Sequence, residues 1–413
     1  MMKSNRKGKH LADLYVLNVG QGDSLVFHLA TGEILIIDCN VQDDFNTSVI
    51  KDCIEKIIPD TKNGFDIDLL CLTHPDIDHY RGMDSLIDWV KKNKGPKKIR
   101  GQIKNLIIPG VSPKSLGGLV KKEWEKLRKK PPSEDAELPA PLAELLQKNK
   151  ALVGLYKKFA KIRKDIKKSP KGKYQTANGF AHFKDFGKAR VFILGPTSET
   201  VQKHHDQVWK DIIKAWISSK PLGTDSANEI SSVLWIVTNK VQSLLTGDAT
   251  AEALLDAINE YEFNHKTLIK KEIDCDIVKA SHHGSKTGSS LELWQKILKK
   301  NGFVAFSAGA HRGYQHPDQE TINDIYGIPS SKPTLFCTNC LRYAKLIDRK
   351  SDILADDDVR GRWSDCPDNS TKFHGTIRFK IFNNGKVCVK PERNPNPPCP
   401  NLIGLSGATP CGL

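Results

Sequence analysis

The sequence has no run of about 18 consecutive apolar residues, so it offers no helix able to cross a bilayer. Its N-terminus, Met1 to His10, is basic but lacks the apolar core and small-residue cleavage site of a secretory leader, and it runs directly into the strand-like Leu14-Tyr15-Val16-Leu17. A cytoplasmic location is therefore expected. Internal repeats are absent, which sets aside the repeat architectures. Cysteine is not lacking, since ten occur, but in a reducing compartment they do not form a disulfide framework. Cys39, Cys71 and Cys275 end apolar runs and are expected to be small buried side chains.

Acidic residues are scarce in one place. Between Lys91 and Lys173 there are 25 Lys and Arg against 7 Asp and Glu, a net of +18, so the remainder carries −3 of the total +15. This segment suits a nucleic-acid partner, because each neutralised phosphate releases counterions; a solvated, Lys-rich helical insertion is the competing account. The other proportions, 38% hydrophobic and 27% charged over 413 residues, suit a large globular domain with insertions or two modest domains.

Apolar runs and turn residues outline the elements. Leu14–Val19, Ser24–Leu29 and Ile34–Asp38 predict an N-terminal β-meander, with Gly20-Gln21-Gly22-Asp23 as its first turn. Helices are expected at Val49–Ile58 and Gly82–Lys92, with a buried strand over Ile67–Thr73 between them and another at Leu106–Pro109. Leu142–Lys168 has helical apolar spacing. Strands follow at His182–Phe183, Val191–Leu194, Ser231–Val237, Ser243–Thr246, Ile277–Ala280, Phe303–Ser307, Thr334–Cys337 and Thr376–Phe382, with helices at Ala251–Tyr261 and from Asp318. The tail beyond Lys390 is rich in Pro, Asn and Gly and is expected to be irregular.

Four polar segments share one position, directly after an apolar strand: His74–His79, Gly247-Asp248, His282-His283 and His311–His316. Strand ends of layered α/β folds converge on one rim, where sites are built. Imidazoles with carboxylates, and no cysteine among them, suit zinc or manganese. Cys337-Thr338-Asn339-Cys340 is one possible half of a structural zinc site, with Cys366 and His374 as partners, although a buried strand cysteine beside an unrelated loop cysteine accounts for it better.

Thr73-His74-Pro75-Asp76-Ile77-Asp78-His79 resembles the HxHxDH signature of the metallo-β-lactamase superfamily, with Asp76 in place of the second histidine. Together with Val19-Gly20-Gln21-Gly22-Asp23-Ser24, Leu245-Thr246-Gly247-Asp248, His282-His283-Gly284-Ser285 and Tyr314-Gln315-His316-Pro317, it is similar to the nuclease-like domain of ComEC-type DNA-uptake proteins. The resemblance implies an α/β, four-layer αββα sandwich over residues 12–390, with the basic insertion at 91–173 and an irregular tail at 391–413. It also implies two divalent ions. His74 and Asp76 would hold one, Asp78 and His79 the other, with Asp248 between them and either His282 or His283 completing the set. No additional histidine is evident for the first ion. Asp38 and Asn228 would orient ligands from behind. A dinuclear-metal-activated hydroxide would attack phosphorus, with His316 acting beside Asp78 and Asp248, and His311, Arg312 and Lys286 contacting substrate. The implied activity is a phosphodiesterase or nuclease acting on DNA or RNA. A hydrolase of small phosphodiesters, such as a cyclic nucleotide or choline phosphoester, and a non-catalytic nucleic-acid-binding protein are the alternatives.

Overall fold

The structure is a computed structural model and describes residues 8–42, 44–58, 65–92, 101–110, 140–204, 225–309, 316–338 and 376–391. The first sheet begins with β1 (His10–Val16), β2 (Leu25–Leu29), β3 (Ile34–Ile37), β4 (Leu69–Cys71), β5 (Asn105–Ile108) and β6 (Lys173–Thr176). The second comprises β7 (Ala181–Phe186), β8 (Ala189–Gly195), β9 (Val233–Thr238), β10 (Val241–Leu245), β11 (Cys275–Lys279), β12 (Leu298–Phe306) and β13 (Thr334–Cys337). The chain then returns to the first sheet with β14 (Ile377–Phe382) and β15 (Val387–Pro391). The strand orders are β15-β14-β1-β2-β3-β4-β5-β6 and β13-β12-β11-β10-β9-β8-β7. Each sheet is antiparallel on one side and parallel on the other, from β3 to β6 in the first and from β10 to β13 in the second.

Side-chain alternation explains why the sheets stack. Leu14, Phe27, Leu35 and Ile37 of the first sheet meet Val191, Ile236, Leu245 and Ile277 of the second in one continuous core. The intervening residues face outward, with Tyr15, Val26, Ile36 and Leu70 under helices Val49–Ile57 and Met83–Lys92. On the far side Trp235, Leu244, Val278 and Val304 lie under helices Ala251–Asn264, Leu291–Ile297 and Gln319–Tyr326. The strands are therefore covered on both faces, which is why they appear in sequence as nearly continuous apolar runs. The layering is the expected αββα sandwich.

The basic segment is partly built into this frame. Helix Ala140–Lys167 buries Leu155, Phe159, Ile162 and Ile166 in the outer core of the first sheet, while Lys157, Lys161, Lys164 and Lys168 are exposed. Residues 93–100 and 111–139 lie outside the described residues. Two strands escaped the sequence reading: β6, whose Lys173-Tyr174-Gln175-Thr176 is too polar to stand out, and β15, which is short and runs into the Pro-rich tail. Cys39, Cys53, Cys71, Cys275 and Cys337 are buried, whereas Cys388 is disulfide-bonded, against the expectation that the cysteines form no disulfides. Cys340, Cys366 and His374 lie outside the described residues. Among the described residues no helix is long and apolar enough to cross a membrane.

Candidate metal centre

The C-terminal ends of the parallel strands deliver the polar segments to one place. Asp38 follows β3, Thr73 and His74 follow β4, Gly247 and Asp248 follow β10, and His282 and His283 follow β11. The β1–β2 turn adds Asp23. Close approach there depends on glycine: at Gly22 (φ +125°) a Cβ would lie 2.4 Å from the Asp78 carbonyl oxygen, and at Gly247 (φ +55°) it would lie 2.9 Å from Thr73 Cβ.

The imidazoles are anchored from behind. Asp38 accepts from the Thr73 N–H (2.8 Å) and from the Thr73 hydroxyl (2.6 Å), and its Oδ2 lies 2.8 Å from His79 Nδ1. A carboxylate only accepts, so His79 carries a proton on Nδ1 and turns Nε2 inward. His283 does the same against the Ser307 carbonyl, at 2.8 Å. His282 Nδ1 is 3.0 Å from the Thr287 hydroxyl and 3.4 Å from Asn228 Nδ2, and His74 Nδ1 is 3.3 Å from the Thr73 hydroxyl.

The inward atoms converge on Asp248. Its Oδ1 lies 3.3 Å from His79 Nε2, and its Oδ2 lies 3.3 Å from His283 Nε2, 3.9 Å from His74 Nε2 and 3.9 Å from His282 Nε2. Asp78 Oδ2 is 3.2 Å from His283 Nε2. Asp78, His79, Asp248 and His283 thus form a tight group of potential ligands. His74, Asp76 and His282 are more loosely disposed: Asp76 is 45% exposed, 4.0 Å from His74 Nε2, and His282 is 25% exposed. Both histidines of the pair therefore reach the site, His283 in its buried part and His282 nearer its mouth. That reach needs an unusual backbone, since His282, His283 and Gly284 have φ of 46°, 56° and 92°.

The electrostatics are those of a group of side chains suited to a cation. Burial, then repulsion from His79, lowers the His74 pKa to about 3, leaving a neutral ring. Burial would also lower His79 and His283, yet the carboxylate of Asp248, with Asp38 and Asp78 beside His79 and Asp23 and Asp78 beside His283, holds both well above the usual imidazole value. Against its own burial, Asp248 is held well below the usual carboxylate value by His283 and His79. His74 Nε2, His79 Nε2 and Asp248 Oδ1 are buried and make no hydrogen bond, a costly state that a cation would relieve. The donor set of imidazoles and carboxylates fits a divalent metal ion.

Further out, His316 is buried, its ring 5.6 Å from that of His282, and its Nδ1 lies 3.4 Å from Asp318 Oδ1. Lys286 is exposed, and its backbone N–H donates to Asp318 Oδ2 at 2.8 Å. His311 and Arg312 lie outside the described residues. Three residues at or beside the site were missed in the sequence. Asp23 stands there in a turn and in the Val19–Ser24 motif but with no role assigned, Asp318 only as a helix start, and Lys279, fully buried on β11, as one polar residue in an apolar run.

No family model matches the chain. A 97-residue stretch, 24% of the chain, is 32% identical to ComE operon protein 3 of Bacillus subtilis (strain 168) and spans 11% of that protein's length. Among solved structures the chain is similar to the metallo-β-lactamase fold protein YhfI from Bacillus subtilis (8% identity, 78% of this chain and 96% of that one, TM-score 0.36). It is also similar to yeast PDE1 (10% identity, 79% and 98%, TM-score 0.37) and to a long form RNase Z from yeast (12% identity, 78% and 40%, TM-score 0.34). At those scores the structural similarities carry no functional weight. The layering and the motifs carry the conclusion: with its αββα sandwich and the His74–His79 segment, Asp248 and the His282-His283 pair gathered at the strand ends, the chain has the metallo-β-lactamase fold and is similar to the ComEC-type branch.

Proposed function

We propose that the protein is a metal-dependent phosphodiesterase that cuts DNA or RNA with two divalent ions, zinc or manganese. The observation that carries this reading is the convergence of four imidazole Nε2 atoms on the two oxygens of Asp248. Asp78, His79, Asp248 and His283 would hold one ion, and His74, Asp76 and Asp248, with His282 in place of the absent further histidine, would surround the other. When bound, such a pair activates water at neutral pH and neutralises charge on the oxygens of an in-line displacement.

The remaining residues have supporting roles. Asp38 orients His79, and Asn228 lies against His282. His316, with Asp318 beside its Nδ1, would give a proton to the departing oxygen. Lys286 is exposed beside that pair and would meet substrate. The exposed lysines of helix Ala140–Lys167 supply a positive face for the phosphate backbone.

A substrate panel tests the proposal. Single- and double-stranded DNA, RNA and bis-p-nitrophenyl phosphate are incubated with the protein in Mn²⁺, Zn²⁺ or EDTA, alongside Asp248→Ala. Nucleic-acid cleavage that requires metal and is lost in the variant is expected. Cleavage of the small diester alone would place the enzyme among small phosphodiesterases, and no difference between wild type and variant would end the hydrolase reading.

A further inference from the structure

We infer that the buried ammonium of Lys279 is a permanent third cation of this cage, neutralising Asp23 and holding Asp248 so that the other carboxylates are left for two divalent ions. The inference rests on the two-metal reading above.

Lysine is almost never fully buried unless paired, and Lys279 is fully buried. Its placement follows from strand alternation. On β11, Ile277 faces the core between the sheets and Val278 faces the outer helices, so Lys279 returns to the inner face. Its register partners, Leu245 on β10 and Ala305 on β12, belong to that same inner core. An apolar residue is what this position calls for. An ammonium stands there instead, at the strand end next to the metal ligands.

Its partners are specific. Lys279 Nζ makes a close ion pair with Asp23, donates to the Gly247 carbonyl oxygen at 3.0 Å, and lies 3.6 Å from Asp248 Oδ1. It thus grips both the carboxylate that would lie between the ions and the backbone that carries it. Asp23 has no adequate substitute for this lysine. The nitrogens facing it are His79 Nδ1 at 3.9 Å and His283 Nδ1 at 3.5 Å, and both are already directed to Asp38 and the Ser307 carbonyl.

Charge makes the same point. Asp23, Asp38, Asp76, Asp78 and Asp248 bring five carboxylates to the centre. Two divalent ions offset four, and Lys279 offsets the fifth. Because it is enclosed, Lys279 reaches a substrate only through Asp248 and is a positioning residue.

The test compares wild type with the double variant Lys279→Met/Asp23→Asn, which removes both charges of the pair together. Zinc affinity is measured by competition with a chromogenic chelator, zinc content by elemental mass spectrometry, and folding by thermal melting. The double variant is expected to melt close to wild type yet bind zinc more weakly by on the order of 10- to 100-fold, the usual loss when a group behind a ligand is removed. Wild-type affinity and content in a folded double variant would overturn the inference and leave the two-metal reading standing. Wild type that binds neither zinc nor manganese would overturn both. Nitrogen-15 side-chain spectra of the wild-type protein give a readout that does not depend on a variant folding. A slowly exchanging lysine ammonium resonance that moves on zinc addition supports the inference; its absence, or its indifference to zinc, refutes it.

Discussion

Asp38 is fully buried and sets which nitrogen His79 presents to the cage. Replacing it by alanine frees the ring to rotate or to change tautomer, while leaving every proposed ligand in place. Asp38→Ala is therefore expected to weaken zinc binding by on the order of 10- to 100-fold, measured by chelator competition. The histidine pair offers a second test at this scale. Two consecutive non-glycine residues with positive φ cost on the order of 1–3 kcal/mol each, and the anchors at Ser307 and Thr287 hold them there. His283→Ala, which removes one of the four members of the tight group, is expected to lower metal content more than His282→Ala does. Equal losses would show that the two ligand groups are not distinct in depth.

Among the elements, helix Ala140–Lys167 has two separable faces. Its buried face bears Phe159, and Phe159→Ala is expected to cost about 3–5 kcal/mol of stability, read from urea unfolding. Lys157, Lys161 and Lys164 follow one another at helical spacing on the exposed face, and exposed Lys168 lies just past the helix end. Changing all four to alanine should leave hydrolysis of bis-p-nitrophenyl phosphate unchanged. The salt dependence of duplex-DNA binding should become shallower, by up to about 0.9 in log–log slope for each phosphate that is no longer neutralised. An unchanged slope would assign those lysines to solvation alone. Lys158 is left out of the set because it is paired with Asp84 and Asp88.

For the whole molecule, the cage ties loops of both sheets together: Asp23, Asp38 and His79 come from the first, Asp248 and His283 from the second. A ligand bound only by the folded chain stabilises it by mass action, about 2.7 kcal/mol at a hundredfold excess over Kd. Zinc is thus expected to raise the melting temperature and EDTA to lower it, followed by differential scanning calorimetry. A melting temperature indifferent to both would mean that no ion bridges the sheets.

Much of this architecture was legible in the sequence, because strand runs and turn residues are local signals. The apolar stretches ending in Asp38, His74, Asp248 and His282-His283 located the layers and the rim by themselves, and the Asp76 substitution pointed to one branch of the fold. The edge strand β6 was missed because it is as polar as its surroundings, and β15 because its apolar run Val387-Cys388-Val389 is short and leads into the Pro-rich tail. What only the tertiary structure decided was direction and company. Which histidine lies deep depends on a left-handed run of backbone that no pattern of side chains announces. That Asp23 and Lys279 meet depends on a β1–β2 turn and the end of β11 approaching across two stacked sheets, from positions 256 residues apart in the chain. Local periodicity encodes each strand. Charge balance at their junction exists only once the sheets are packed.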